Sequence, residues 1–198
     1  MDRWSSNHFR GSPDCLPRKS GWDPVRMHMF VDESERRGYR LVATTVELSA
    51  LHSTRSLMRG LLLPSERRVH FKSEKDSRRK FIISQLVRAE FRVRIYLQPG
   101  RGEHIRGNLL ELLVREAIEN GVTRLVLDSR DQAANARDRV AIASRTKARE
   151  AGLAYEHIQA SGEPALWISD AVAWCHGAGG DWPRRIAPLV VSTTRLEP

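Results

Sequence analysis

"MHMFVDESERRGYRLVATTVEL", residues 27–48, decides how this chain is read. Met27 to Asp32 is an apolar run that ends on two adjacent acids, Asp32 and Glu33. The turn-like "SERRG" follows, and then a second run, Tyr39 to Leu48, rich in β-branched side chains. Two such runs at hairpin distance predict an antiparallel pair of strands. Carboxylates at the end of a buried strand need a reason, because an unpaired one away from water costs several kcal/mol or has its pKa forced upward.

The same oddity recurs twice. "RLVLDSRD" is apolar through Leu125, Val126 and Leu127 and stops at Asp128, and Asp170 sits among the apolar residues of "ALWISDAVAWC". The stretches between them alternate in type. Leu51, Met58, Leu61 and Leu62 share a helical stripe that stops at Pro64. Val69 to Phe71 reads as a short extended piece, and a helix follows from about Lys75 to Ala89 with Phe81, Ile82 and Leu86 inward.

"FRVRIYLQPG" alternates Phe91, Val93, Ile95 and Leu97 with Arg92, Arg94 and Tyr96, the pattern of a half-buried strand with a basic outer face. "EHIRGNLLELLVREAIENG" is a helix through Leu109, Leu112, Leu113 and Ile118 that Gly121 would close. After the strand ending at Asp128 come a polar helix (Ala133 to Glu150), a strand in "AYEHIQAS" and a helix opening at Pro164. "DWPRRIAPLVV" suggests a short last helix broken by Pro188. This order predicts an α/β fold: a central mixed sheet opened by an antiparallel hairpin, with helices on both faces.

At 198 residues the chain suits one compact domain, expected over 25–198. Pro13, Pro17, Pro24, Gly11 and Gly21 break periodic structure in 1–24, which is expected to be an N-terminal extension. Apolar runs such as "GLLLP" and "LLELLV" are far too short to span a bilayer, so no membrane partner is expected. "MDRWSSNHFRGSPD" shows no secretory pattern, and a cytoplasmic location with Cys15 and Cys175 reduced is expected. The net charge of +9 favours a polyanionic partner, nucleic acid above all.

Three ionisable groups on apolar backgrounds want a shared counter-charge, and a divalent cation supplies one. The carboxyl ends of parallel strands meet at one edge of an open α/β sheet, so Asp32 and Asp128 converge there if their strands are neighbours. Asp170 shares a helix face with Leu166, Trp167, Ala173 and Trp174, the face expected to meet the sheet. An all-oxygen set favours Mg²⁺ or Mn²⁺ over zinc. Two such ions roughly 3.5–4 Å apart would activate a water and stabilise the leaving oxygen of a phosphodiester.

Each residue also has a plainer reading. Asp32 and Asp128 suit turns, Asp131 is a weaker substitute for Asp128, and Asp170 suits a pair with a buried arginine. Glu33 should face the other side of its strand, as an outer carboxylate or a ligand. In "HFKSE", Glu74 offers a fourth carboxylate and His70 a proton-handling or phosphate-contacting group. The same segment reads equally as a helix cap, Ser73 with Asp76. Arg67, Arg68, Lys72, Lys75, Arg78 and Arg79 cluster around it, placing positive charge where a nucleic-acid backbone would lie. Trp167 and Trp174 read as core.

Taken together, "MFVDES" with "YRLVATTV", "VHFKSE", "LVLDSRD" and "ALWISDAVAW" resemble the RNase H-like superfamily. More narrowly, they resemble a prokaryotic group that opens with a strand ending in Asp-Glu-Ser. The resemblance spans about residues 27–176. It implies a metal-dependent nuclease-like fold with Asp32, Asp128 and Asp170 at the acidic positions. The expected activity is two-metal cleavage of RNA or DNA with little sequence specificity. The alternatives are a catalytically inactive nucleic-acid-binding or accessory protein of the same fold, and a small-molecule phosphoesterase.

Overall fold

A computed structural model describes residues 25–197. The expected extension over 1–24 and Cys15 lie outside the described residues. Within them, a six-stranded sheet forms with order β5-β4-β1-β2-β3-β6. The opening hairpin is β1 (Met27–Ser34) and β2 (Tyr39–Glu47), antiparallel, with Phe30 opposite Thr44 and Asp32 opposite Val42. β3 (Arg92–Gln98) adds antiparallel to β2. On the other side of β1, β4 (Val122–Asp128) and β5 (Ala154–Ile158) add in parallel. The expected arrangement, a mixed sheet with an N-terminal hairpin and helices on both faces, is the one observed.

Strand alternation sends successive side chains to opposite faces, and each face has its own core. On one face, Phe30, Val42, Ile95 and Val126 meet α1 (Leu51–Gly60), α2 (Asp76–Arg88) and α5 (Leu166–Ala178) through Met58, Ile82, Leu86, Trp167 and Val172. On the other, Met29, Val31, Leu41 and Leu127 meet α3 (Glu103–Glu119) and α4 (Gln132–Arg145) through Leu109, Leu113 and Ile142. Each fully buried side chain of this size contributes about 1.5–3 kcal/mol. Gly121, at φ +69°, takes the left-handed conformation that ends α3, as expected.

Helix α5 is fixed in place by polar contacts as well as packing. The Ser169 hydroxyl donates to the Phe30 carbonyl at 2.8 Å and lies 2.8 Å from the Thr44 hydroxyl. Its one proton goes to Phe30, so Thr44 donates to Ser169. The Trp167 indole N–H donates to the Ala160 carbonyl at 2.6 Å. These bonds set the height and rotation of α5 over β1 and β2, and with them the place of Asp170.

The structure corrects four local expectations. Val69 to Phe71 is not a strand: Val69 and Phe71 anchor a segment that turns into a 3₁₀ helix, Phe71–Ser73. Phe81 is 49% exposed, and Ile83 takes the inward position beside Ile82 and Leu86. Ser73 does not cap α2; Lys75 occupies the N-cap without a side-chain bond, and the Ser73 hydroxyl meets His70 Nδ1 at 3.0 Å. After the short α6 (Trp182–Ile186) the chain forms a sixth strand, β6 (Val190–Arg195), parallel to β3.

Candidate active site

Asp32 lies on the α5 face of β1, because Phe30 two residues before it packs there. Val31 pairs with Leu127 in the parallel β1–β4 ladder, so Asp32 and Asp128 follow side by side at the carboxyl edge of the sheet. Asp128 shares its face with Val126. Asp170, one residue past the Ser169 contact, brings α5 to the same edge. All three carboxylates are half-buried.

Each acid has a backbone donor. Asp32 Oδ1 accepts the Glu33 N–H at 2.7 Å, Asp128 Oδ1 accepts the Ala160 N–H at 2.9 Å, and Asp170 Oδ2 accepts the Phe71 N–H at 3.2 Å. These bonds orient one oxygen per residue and neutralise none of the charge. Burial pushes the Asp32 carboxyl well above the usual range, and the charges of Asp170, Glu33 and Asp128 push it further. Burial also raises Asp128, against the Ala160 N–H and the Arg68 charge. Asp170 is raised by burial as well, against the Phe71 N–H, His70 and Arg68. Like charge adds to burial at this edge, since Asp170 disfavours ionisation of both Asp32 and Asp128, and Asp128 that of Asp32.

As the side chains stand, no three His, Cys, Asp or Glu groups among the described residues are close enough to hold a metal ion. The donor set suits a hard cation chemically, while the carboxylates are turned toward their backbone donors.

Glu33 is placed elsewhere. It faces the α3 side, where its carboxylate pairs with Arg106 at 2.9 Å and Arg130 at 3.8 Å. The expectation of Glu33 as a metal ligand is corrected on that ground, since strand alternation turns it away from Asp32. Glu74 is likewise spent: its nearly buried carboxylate pairs with Arg78 at 3.2 Å. Asp131, the substitute for Asp128, caps α4 by accepting the Ala134 N–H at 2.8 Å. His70 is exposed, and its charge acts on Asp170.

The six basic residues around "HFKSE" divide in two. Arg67, Arg68, Lys72 and Lys75 are exposed, and Arg68 acts on both Asp128 and Asp170. Arg78 is held by Glu74 and the Leu61 carbonyl. Arg79 donates to the Phe71 and Lys72 carbonyls at 3.0 and 2.6 Å and lies 4.1 Å from the Trp174 ring centroid. Arg78 and Arg79 therefore brace the segment from His70 to Lys75. Trp167 is core, but Trp174 is half-buried against Phe71, Trp182 and Arg79.

Sequence reasoning missed a buried polar network behind Glu33. Arg106, 1% exposed, donates from Nε and Nη2 to the two Asp138 oxygens at 2.7 and 2.8 Å, and from Nη1 to Glu33 at 2.9 Å and the Tyr39 hydroxyl at 3.2 Å. Arg130 and His157 reach Asp138 at 2.9 and 3.0 Å. Burial opposes ionisation of Asp138, but the hydrogen bonds from His157 and Arg106, with the charges of Arg106 and Arg130, outweigh it. They hold the carboxyl well below the usual range. A signal was present: Arg106 occupies the same α3 stripe as Leu109, Leu110 and Leu113.

No family model and no curated protein matches the chain. Solved structures do. A chain of the PCNA:RNase HII complex from Archaeoglobus fulgidus aligns at 17% identity and TM-score 0.43, covering 82% of this chain and 76% of that one. Ribonuclease H2 from Pyrococcus horikoshii aligns at 11% identity and TM-score 0.42, covering 82% and 75%. No helix among the described residues is long and apolar enough to cross a membrane.

Proposed function

We propose that this protein is a nuclease of the RNase H-like type, cleaving phosphodiester bonds of RNA or DNA with Mg²⁺ or Mn²⁺ held by Asp32, Asp128 and Asp170. The observation that supports the reading is the convergence of these three half-buried acids at the carboxyl edge of β1 and β4, where burial raises the pKa of each, Asp170 raises both Asp32 and Asp128, and Asp128 raises Asp32. Three placements that each cost stability share one compensation, a hard dication. When bound, such ions supply an activated water and charge neutralisation at the leaving oxygen.

The chain's own groups have separate tasks. Asp32, Asp128 and Asp170 would hold the ions together, with Asp32 the acid on which the charges of both others act. The Glu33, Ala160 and Phe71 N–H groups keep one oxygen of each acid oriented. Ser169 and Thr44 fix α5, so Asp170 stays in register with β1. His70, exposed and with its charge acting on Asp170, would pass a proton to the departing oxygen. Arg68 screens the acids before the substrate arrives and meets its phosphate afterwards. Glu33 and Glu74 act behind this shell, through their arginine pairs.

Labelled RNA and DNA strands, and a small aryl phosphodiester, incubated with Mn²⁺, Mg²⁺ or EDTA, test the proposal. Cleavage of a polymer that EDTA abolishes is expected. Hydrolysis confined to the small ester would make the protein a small-molecule phosphoesterase, and strand binding without cleavage would make it an inactive accessory protein.

A further inference from the structure

Positive side chains gather just beyond the strand end that carries Asp32. Ser34 pairs with Arg40, Arg40 with Leu97 and Leu97 with Arg195, across β1, β2, β3 and β6. Side chains two apart on a strand share a face, so this row lies on the Asp32 face, one step outward. Arg36 and Arg37 extend it from the hairpin turn. The carboxyl end of α5 closes over it at two glycines: a Cβ on Gly177 would strike Arg40 Nη1, and one on Gly179 would strike Arg37 Nη1.

Arg40 is 4% exposed, yet its Nε and Nη1 have no acceptor among the described residues. Its Nη2 makes a long 3.4 Å bond to the Arg37 carbonyl. Burial and the charges of Arg36 and Arg37 all act against the guanidinium, holding its pKa below the ordinary arginine value. The carboxyl end of α5 offers roughly half an elementary negative charge. The Arg37 and Arg40 guanidinium groups both lie against that end, so the dipole leaves most of the positive charge uncompensated.

A cavity of about 500 Å³ opens beside the row, lined by Ser34, Glu35, Arg36, Lys72, Arg101 and Trp174. Arg36, Lys72 and Arg101 make no ion pair among the described residues, in contrast to Arg78 and Arg79. The Arg36 guanidinium stands 5.6 Å from the Trp174 ring centroid, over a half-buried indole. Unpaired cations beside an aromatic face, next to an acidic centre, fit a strand whose phosphates lie along the cations.

We propose that this basic hairpin surface holds the sugar-phosphate backbone of a polynucleotide on the β2–β3 side of the acidic centre. Arg36, Arg37, Lys72 and Arg101 contact phosphate oxygens, and the buried Arg40 charge is compensated when the strand is in place. The inference rests on the polynucleotide reading of the acidic centre, but binding is measurable without cleavage.

The test is fluorescence anisotropy of the full chain with a labelled twelve-nucleotide single strand, in EDTA, over a range of salt concentrations. Arg36→Gln with Arg101→Gln alters two exposed side chains, and circular dichroism checks that the fold is kept. At about 0.1 M salt this pair should weaken binding about tenfold, and the slope of log affinity against log salt should flatten by about one. The charge-matched pair Lys147→Gln with Arg149→Gln lies before β5, at the far end of the parallel strands, and should bind as wild type does. Wild-type affinity and slope in the hairpin pair, an equal loss in the control pair, or no strand binding by wild type would each overturn the inference. Tight, hairpin-dependent binding without cleavage in Mn²⁺ would leave it standing and remove the nuclease function instead.

Discussion

Asp32 and Glu33 are neighbours in the chain, yet they serve opposite faces of the sheet. The Glu33 N–H donates to Asp32 Oδ1 at 2.7 Å, while the Glu33 carboxylate lies on the other side against Arg106 at 2.9 Å. One strand end thus joins an acidic centre in front to a buried ion network behind. The acids in front repel one another, whereas those behind are matched by arginines.

That contrast gives the first prediction. Asp32→Asn removes a charge that burial and Asp170 disfavour, so the metal-free protein should melt at a higher temperature, by about 1 kcal/mol of stability. Strand cleavage by the same variant should fall about 10³-fold. Calorimetry in EDTA and a single-turnover assay in Mn²⁺ measure the two effects.

The pH dependence has a definite sign. The Asp32, Asp128 and Asp170 carboxyls are raised in the folded state, so between their unfolded and folded pKa values the folded protein holds more protons than the unfolded one. Their contribution is present below the unfolded pKa, about 3.9, and is lost as pH rises through the folded values. In EDTA, stability should therefore decline as pH rises through that window. Millimolar Mn²⁺ should restore it on the high-pH side, by about 2.7 kcal/mol at a hundredfold excess over Kd. Melting curves across pH, with and without Mn²⁺, give the comparison.

Asp138 works in the opposite direction. Its folded pKa is depressed, so its contribution is present above the unfolded value and lost as pH falls through the folded one. Arg106→Met alone leaves this buried carboxylate without its two-pronged partner and should cost about 3–5 kcal/mol. Arg106→Met with Asp138→Leu should recover much of that loss. Urea unfolding of the two variants measures it; equal instability in both would mean the pair is not the source of the cost.

How far the sequence went is clearest at single residues. The hairpin and the strand ends at Asp32 and Asp128 follow from apolar runs and turn residues, and strand parity alone turned Glu33 away from Asp32. β6 escaped because "VVSTTR" is short, partly exposed and preceded by Pro188, so local pattern favoured a broken helix. The segment from Val69 to Phe71 looked extended, but its two apolar residues are anchors for a turn that ends on Asp170 through the Phe71 N–H. Arg36 and Arg37 were read as turn residues. Their nearness to Arg40, Arg101 and Lys72 depends on strand pairing and on α5, which no local window contains.

Cys175 supplies a check on the packing. It is fully buried, and burial pushes its thiol up to about 12. In a Cys15→Ala variant, the native protein should show no thiol reacting with a disulfide reagent at pH 8 until denaturant is added. Rapid reaction in the native state would mean that α5 does not pack on the sheet as described.

The central claim is that Asp32, Asp128 and Asp170 together hold a divalent cation. Crystals grown with Mn²⁺ and measured at a wavelength where manganese scatters anomalously test it most directly. The account predicts a peak about 2.0–2.3 Å from oxygens of all three residues, with the carboxylates rotated away from the places where their backbone donors now hold them. No peak there at saturating Mn²⁺, with Arg68 bridging the acids instead, would contradict it.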